Sequence, residues 1–254
     1  MLTAGLLVLA LGLAVALVRA RRRGVILEQR LAKASQDLEA LQHAFERFTP
    51  ASVVEDIVVQ GISTRPDTKE VTILFADLKG FTPIAEQLEP AELVRVLNGY
   101  FDRMGAAIAA HRGHLAKFIG DGLLALFGAL ESNPWQTNDA LHAGLAMRAA
   151  LQAYNIELVE RGLPQLAFGI GIHRGSVVAG VLGTSTVKEY GVIGRAVNVA
   201  SRVETLTRVH DTDILTTEAV RTHCDPRFRL RTLPATDVKG LPQPIVTFAV
   251  DGYD

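Results

Sequence analysis

Two apolar runs, residues 115–119 and 123–127, are separated only by Gly120-Asp121-Gly122, and that spacing leaves a chain little choice but a β-hairpin. Short apolar runs broken by a Gly/Asp pair close as antiparallel strands, because glycine supplies the positive φ that a two-residue turn requires. The hairpin sets a carboxylate, Asp121, at its tip and an ammonium, Lys117, further back on one strand. Alone, the pair has an ordinary explanation, Asp121 making the turn and Lys117 snorkelling over apolar surface. A second carboxylate alters that. Residues 70–76 read as a strand that ends at Asp77 and runs into Leu78-Lys79-Gly80-Phe81-Thr82-Pro83, after which a helix begins. A carboxylate at a strand's end, before a glycine-containing turn into a helix, can hold a cation beside a phosphate cradled on backbone N–H groups. In β-α-β-β order the strand ending at Asp77 lies beside the hairpin, so two carboxylates converge at one end of a sheet. They repel unless a cation joins them, and oxygen ligands with open coordination positions suit Mg²⁺ or Mn²⁺ on a polyphosphate.

The remaining sequence alternates helices with strands. Residues 90–112 read as a helix closed by Gly113, 138–161 as a long helix stopped by Gly162 and Pro164, and 196–209 as a third helix. Strands are expected at 166–173, 177–182, 187–192, 214–216, 227–231 and 245–250, which makes the domain α+β or α/β, without internal repeats.

The first 68 residues are of another kind. Residues 2–18 carry no charge and are followed by Arg19 and Arg21-Arg22-Arg23. As a helix this run measures about 26 Å, enough for a thin bilayer core. The arginines after it argue against a cleaved secretory signal and leave the N-terminus outside and the rest in the cytoplasm. A buried soluble helix is the competing explanation. From 25 to 48, apolar residues at Leu27, Leu31, Ala34, Leu38, Leu41, Phe45 and Phe48 alternate steps of four and three. That seam argues for a coiled coil with an identical chain, against an amphipathic helix packed on its own domain. Residues 49–68, with Thr49-Pro50 opening a short helix, are a linker into the domain at 69–254. The near-neutral net charge of −1 and the lack of a concentrated basic element beyond the arginine cluster argue against nucleic-acid binding. The single cysteine, Cys224, excludes an intrachain disulfide and suits a reducing compartment.

The blocks VTILFADLKGFT, KFIGDGLLALFG, GIGIHRGSVVAG and EYGVIGRAVNVASRVE together resemble the catalytic domain of the class III nucleotidyl cyclases, the adenylate and guanylate cyclase family. The resemblance covers residues 69–250, and residues 1–68 are similar to the anchor and signalling helix of membrane-anchored bacterial-type adenylate cyclases. It implies a ferredoxin-like βαββαβ catalytic domain and the cyclisation of a nucleoside triphosphate with loss of pyrophosphate. It makes Asp77 and Asp121 ligands of two divalent cations, Mg²⁺ or Mn²⁺, with the Leu78 carbonyl as a further ligand. Phe81 and Thr82 match the turn whose amides meet the β and γ phosphates. Asn198 and Arg202 match the pair that orients the ribose and stabilises charge on the reacting phosphate. Lys239 matches a lysine on the terminal phosphates. Lys117 stands where the family reads the purine, and as a donor-only ammonium it suits adenine N1.

Two positions depart from the family pattern. Gly191 replaces a side chain that accepts from the adenine amino group, so adenine selection falls on Lys117, a backbone carbonyl or a water. Arg195 stands where an acidic residue is common. Because the family builds each site from two chains, and this chain carries both sets of residues, the resemblance implies a homodimer with two equivalent sites. The expectation is a single-pass adenylate cyclase of the cytoplasmic membrane acting on ATP. The alternatives are a guanylate or relaxed-specificity cyclase and a non-catalytic nucleotide-sensing dimer.

Overall fold

The computed structural model describes residues 67–183, 188–238 and 243–254, with Lys33 and Gln36, and only the backbone of 181–183 and 188–190. The stretches expected to be a membrane helix (1–20), a coiled coil (25–48, all but Lys33 and Gln36) and a linker (up to residue 66), together with Lys239, lie outside the described residues. Among the described residues no helix is long and apolar enough to cross a membrane. Lys33 and Gln36 are helical and exposed, and both fall off the heptad seam.

Residues Asp67–Leu78 form β1 and are followed by α1 (Phe81–Gln87), α2 (Pro90–Ala110) and the hairpin β2 (His114–Ile119) and β3 (Gly122–Phe127). Then come α3 (Gln136–Glu160), β4 (Phe168–Gly183), β5 (Lys188–Ile193), α4 (Arg195–Val209), β6 (Ile214–Thr217), α5 (Glu218–Arg221), β7 (Phe228–Thr232) and β8 (Thr247–Tyr253). The sheet order is β2-β3-β1-β4-β6-β8-β7, with β5 paired to the far end of β4. β1 is antiparallel to both β3 and β4. The first four strands therefore take the β2-β3-β1-β4 arrangement expected of a βαββαβ unit, and the mixed α+β sheet extends beyond it.

Alternation along the strands sorts the core into two layers. Leu74, Ala76, Leu123, Ala125 and Ile172 pack against α2 and α3 through Tyr100, Met104, Leu141 and Met147. Val71, Ile73, Leu124, Leu126 and Val177 turn to the other face and meet Ala196 and Ala200 of α4. β3 is covered on both faces, so every residue from Gly122 to Phe127 is buried. This is why its sequence is an unbroken apolar run rather than an alternating one.

Several boundaries differ from those read in the sequence. The two strands expected at 166–173 and 177–182 are one continuous strand. β4 pairs with β1 without a break from Leu78↔Phe168 to Asp67↔Ala179. Gly175, which resembles a turn residue, is there for another reason. A Cβ on it would lie 2.9 Å from Ala196 Cβ, so it admits α4. β1 begins at Asp67, inside the expected linker, because its first residues pair with that extension of β4. α1 opens directly at Phe81, with Gly80 left-handed at φ 62 before it. α2 stops at Ala110, because Arg112 also turns left-handed, at φ 57. β8 starts at Thr247 rather than 245 and runs to Tyr253.

Candidate active site

Asp77 sits one residue from the end of β1, opposite Gly169 of β4. Ile119 pairs with Gly122, so the hairpin turn is Gly120-Asp121. Gly120 supplies the positive φ, 64°, at the first turn position. Gly122 has no room for a side chain: a Cβ there would lie 2.8 Å from the Ala76 carbonyl and 2.9 Å from Asp77 Oδ1. Its bare backbone lets the tip of the hairpin close on the end of β1. The two carboxylates come together as the sequence suggested. Burial pushes the Asp121 carboxyl above its ordinary value, with Asp77 adding to the rise, against the pull of backbone N–H donors at Asp121 itself and Leu78.

Both carboxylates and the Leu78 carbonyl are hard oxygen donors, a set that fits Mg²⁺ or Mn²⁺. No group of three or more His, Cys, Asp or Glu among the described residues is arranged to hold a metal. The candidate ligands are therefore two carboxylates and a main-chain oxygen, leaving room for substrate oxygens. A cationic group already lies on two of them. Arg208 donates from one guanidinium nitrogen to Asp77 Oδ2 at 2.7 Å and to the Leu78 carbonyl at 3.2 Å, and from the other to Glu204 Oε1 at 2.6 Å. Sequence reasoning missed both residues. The available signal was Glu204 and Arg208 at i and i+4, the spacing of a helical ion pair. Glu204 is buried, and burial pushes its carboxyl up to about 7 against the pull of Arg208. Tyr100 is fully buried nearby, and its hydroxyl has no hydrogen-bond partner among the described residues. Burial and the charges of Asp77, Asp121 and Glu204 all hold that phenol protonated.

α4 is seated on β4 through glycines. A Cβ on Gly171 would lie 2.2 Å from the Glu204 backbone nitrogen, and one on Gly169 would lie 2.1 Å from Thr207 Oγ1. Lys79, in the turn after β1, donates to the Thr212 carbonyl at 2.7 Å and the Thr207 carbonyl at 3.3 Å, tying that turn to the end of α4. Asn198 and Arg202 lie on the outer side of α4, both exposed, while Val199, Ala200, Val203 and Glu204 are buried. At 100° per residue, Glu204 lies roughly 200° around the helix from Arg202. The amide and guanidinium therefore face away from the sheet that carries Asp77, and one chain does not bring the two sets together.

The structure separates the other candidates. Lys117 is exposed on β2, where a register shift between Leu115 and Lys117 makes a bulge. A bulge re-aims the side chains beyond it, and nothing in the sequence announced it. Phe81 is buried in the core, so its side chain anchors the turn and only its backbone is left for a ligand to meet, while Thr82 is exposed. Gly191 pairs with Gly180 on the β4–β5 hairpin, and neither contributes a side-chain acceptor. Arg195 opens α4 and lines a cavity of about 810 Å³ with His173, Ser176, Thr217 and Glu218. His173 lies mid-strand rather than at a strand end. Its Nδ1 is 2.8 Å from Thr217 Oγ1, and burial lowers its pKa to about 4, so it is a neutral structural group. His111 stacks on His142 with ring centroids 5.8 Å apart, and Cys224 is a half-buried free thiol.

The pattern of the adenylate and guanylate cyclase catalytic domain matches residues 64–252. The chain is 40 % identical over 218 residues to an adenylate cyclase of Anabaena cylindrica, covering 82 % of this chain and 42 % of that protein. It is 34 % identical over 172 residues to adenylate cyclase 1 of Rhizobium meliloti, covering 68 % of this chain and 26 % of that one. The chain thus spans less than half the length of these relatives. Among solved structures it resembles the guanylyl cyclase Cya2, with TM-score 0.68 and 36 % identity, covering 74 % of this chain and 95 % of that one. It also resembles the adenylyl cyclase CyaB from P. aeruginosa, with TM-score 0.70 and 27 % identity, covering 75 % and 97 %.

Proposed function

Because this chain belongs to the family of adenylate and guanylate cyclase catalytic domains, we propose that it is an adenylate cyclase. It would convert ATP to 3′,5′-cyclic AMP and pyrophosphate at sites shared by two copies of the chain. The observation that carries this is the division of the machinery. Asp77 and Asp121 meet at the end of β1, whereas Asn198 and Arg202 project from the outer face of α4. A second copy is needed to set one group against the other. Phe118 and Ile119, 50 % and 48 % exposed near the hairpin tip, provide apolar surface for it to cover.

Two divalent cations, when bound at Asp77, Leu78 and Asp121, would acidify the ribose 3′-hydroxyl and neutralise the triphosphate. The 3′-oxygen attacks the α-phosphorus and pyrophosphate leaves. Arg202 bridges phosphate oxygens through its planar fork as their charge grows, and Asn198 fixes the ribose. Lys117 donates to adenine N1, and the backbone at Phe81 and Thr82 meets the outer phosphates, with Lys239 assigned to the same phosphates. With Gly191 offering no side-chain acceptor, a relaxed or guanine preference is the second reading, favoured by the likeness to both adenylyl and guanylyl cyclase structures. A non-catalytic dimer is disfavoured because Asp77, Asp121, Lys117, Asn198 and Arg202 are all present.

The full chain with Mn²⁺ is expected to make cyclic AMP from ATP at least about tenfold faster than cyclic GMP from GTP. Asp77→Ala and Arg202→Ala chains should each be inactive, and mixing them should restore about a quarter of wild-type activity, since random pairing leaves one intact site in half of the dimers. No product from either triphosphate would sink the enzyme reading, and no recovery on mixing would sink the shared site.

We assign residues 2–18 and the arginines after them to a single-pass anchor in the cytoplasmic membrane, and 25–48 to a coiled coil that sets how the two catalytic domains meet. Removing 1–48 is expected to release the protein from the membrane fraction, weaken dimerisation and lower activity at dilute protein. A truncated chain that still pellets with membranes, or dimerises as tightly as the full one, would reject the assignment.

A further inference from the structure

One guanidinium joins three acceptors that belong to different parts of the site. Arg208 holds Asp77 Oδ2, the Leu78 carbonyl and Glu204 Oε1 at 2.7, 3.2 and 2.6 Å. Asp77 and Leu78 are the oxygens assigned to the metal ions under the proposed function, so the inference rests on that assignment. Glu204 is not among them. It lies on Arg208's own helix, one turn back, with its side chain 7 % exposed, while those of Arg208 and Asp77 are 38 % and 37 % exposed.

A cation at Asp77 and Leu78 conflicts with the arginine as placed. Mg²⁺ demands near-ideal octahedral positions at about 2.0–2.1 Å from its oxygens, and the guanidinium already directs N–H groups at the same two oxygens. Two positive centres crowded onto one carboxylate also repel. The contact to Glu204 is different, because it is made within α4 and stays available whatever happens at Asp77. The side chain is long, part-exposed and tethered at its far nitrogen to a buried carboxylate. It can therefore release Asp77 without becoming an unpaired charge.

We propose that Arg208 is a positioning residue, an internal counter-ion that occupies Asp77 and the Leu78 carbonyl when no divalent cation is bound and is exchanged for the cation, withdrawing onto Glu204. The arrangement keeps Asp77 and Asp121 together before metal arrives, since a guanidinium offsets their mutual repulsion. Its cost is affinity: every incoming cation must displace a positive charge that is already bound. Arg208 thus sets the concentration of divalent cation at which the site fills.

The test is Mn²⁺ binding to the full-length protein without nucleotide, read as the loss of the free-ion electron paramagnetic resonance signal. Arg208→Gln, which keeps length and polarity without charge, is expected to bind Mn²⁺ about tenfold more tightly than wild type. Arg208→Lys, which keeps the charge but loses the fork, is expected to fall between the two. Arg208→Ala serves as a second neutral variant, and thermal unfolding shows which chains are folded. Unchanged or weaker binding in folded Arg208→Gln or Arg208→Ala protein would overturn the exchange and make Arg208 a strut. Asp77→Asn separates the two readings. If it abolishes Mn²⁺ binding, the metal assignment stands whatever the arginine variants do. If Mn²⁺ binds Asp77→Asn as it binds wild type, the metal assignment fails, and the exchange with it.

Discussion

Asp77→Asn is expected to lower Mn²⁺-dependent cyclisation of ATP at least about a thousandfold, while the folded protein changes little. The substitution is nearly isosteric, and the side-chain oxygen can still accept from Arg208, which now lies 2.7 Å from Oδ2. What disappears is the negative charge at the end of β1. An amide oxygen is a poorer ligand for a hard cation, and the site has two carboxylates to share between two ions. Both Asp77 and Arg208 are part-exposed, so the lost ion pair is screened by water and contributes only about 1 kcal/mol or less to stability. Relief of the Asp77–Asp121 repulsion acts in the opposite direction. Cyclic-nucleotide production beside a thermal melt separates the two effects. Activity within tenfold of wild type in a folded variant would remove Asp77 from the metal site.

Gly171→Ala is expected to be the most damaging single methyl group in the domain. The added Cβ would lie 2.2 Å from the Glu204 nitrogen, 2.5 Å from the Ala200 carbonyl and 2.7 Å from the Glu204 Cα. All three are backbone atoms of α4, so no side chain can rotate away. Either α4 shifts off β4 or β4 bends, at a cost of about 2–4 kcal/mol. Activity should fall further than stability, because Asn198 and Arg202 travel with α4 while Asp77 stays on β1. The control is Gly105→Ala in α2, whose Cβ meets nothing nearer than Leu115 at 3.8 Å. A helix gains up to about 1 kcal/mol from that exchange. The measurements are the unfolding free energy of both variants and the kcat of whichever folds. A Gly171→Ala protein that unfolds and turns over like wild type would show that α4 is not held as close as the structure has it.

The hairpin and the strand ending at Asp77 were legible because each is announced by local chemistry: apolar runs, a Gly-Asp turn, a carboxylate where a strand must stop. The four-residue spacing of Asn198 and Arg202 likewise fixed their common helix face. What escaped the sequence depended on contacts between distant segments. Gly175 reads as a turn until Ala196 is seen against it, so the sixteen residues of β4 looked like two strands. The bulge before Lys117 leaves no trace in residue type. Nothing in the sequence singles out Arg208, because only the fold carries β1 to the far end of α4. The resemblance proposed residues for substrate and metal, and it was silent on the arginine that lies against Asp77 and the Leu78 carbonyl.

The seating of α4 has a further consequence for control. With Gly169 and Gly171 allowing no gap beneath it, and Lys79 fastening its end to the turn after β1, the helix has no independent stroke. It behaves as a tooth cut into the body of the domain rather than as a lever mounted on it. A signal therefore cannot tune catalysis by sliding this helix within one subunit. Under the proposed function it would have to act on the mesh between two copies of the domain, where a small turn of one against the other would engage or disengage both sites together.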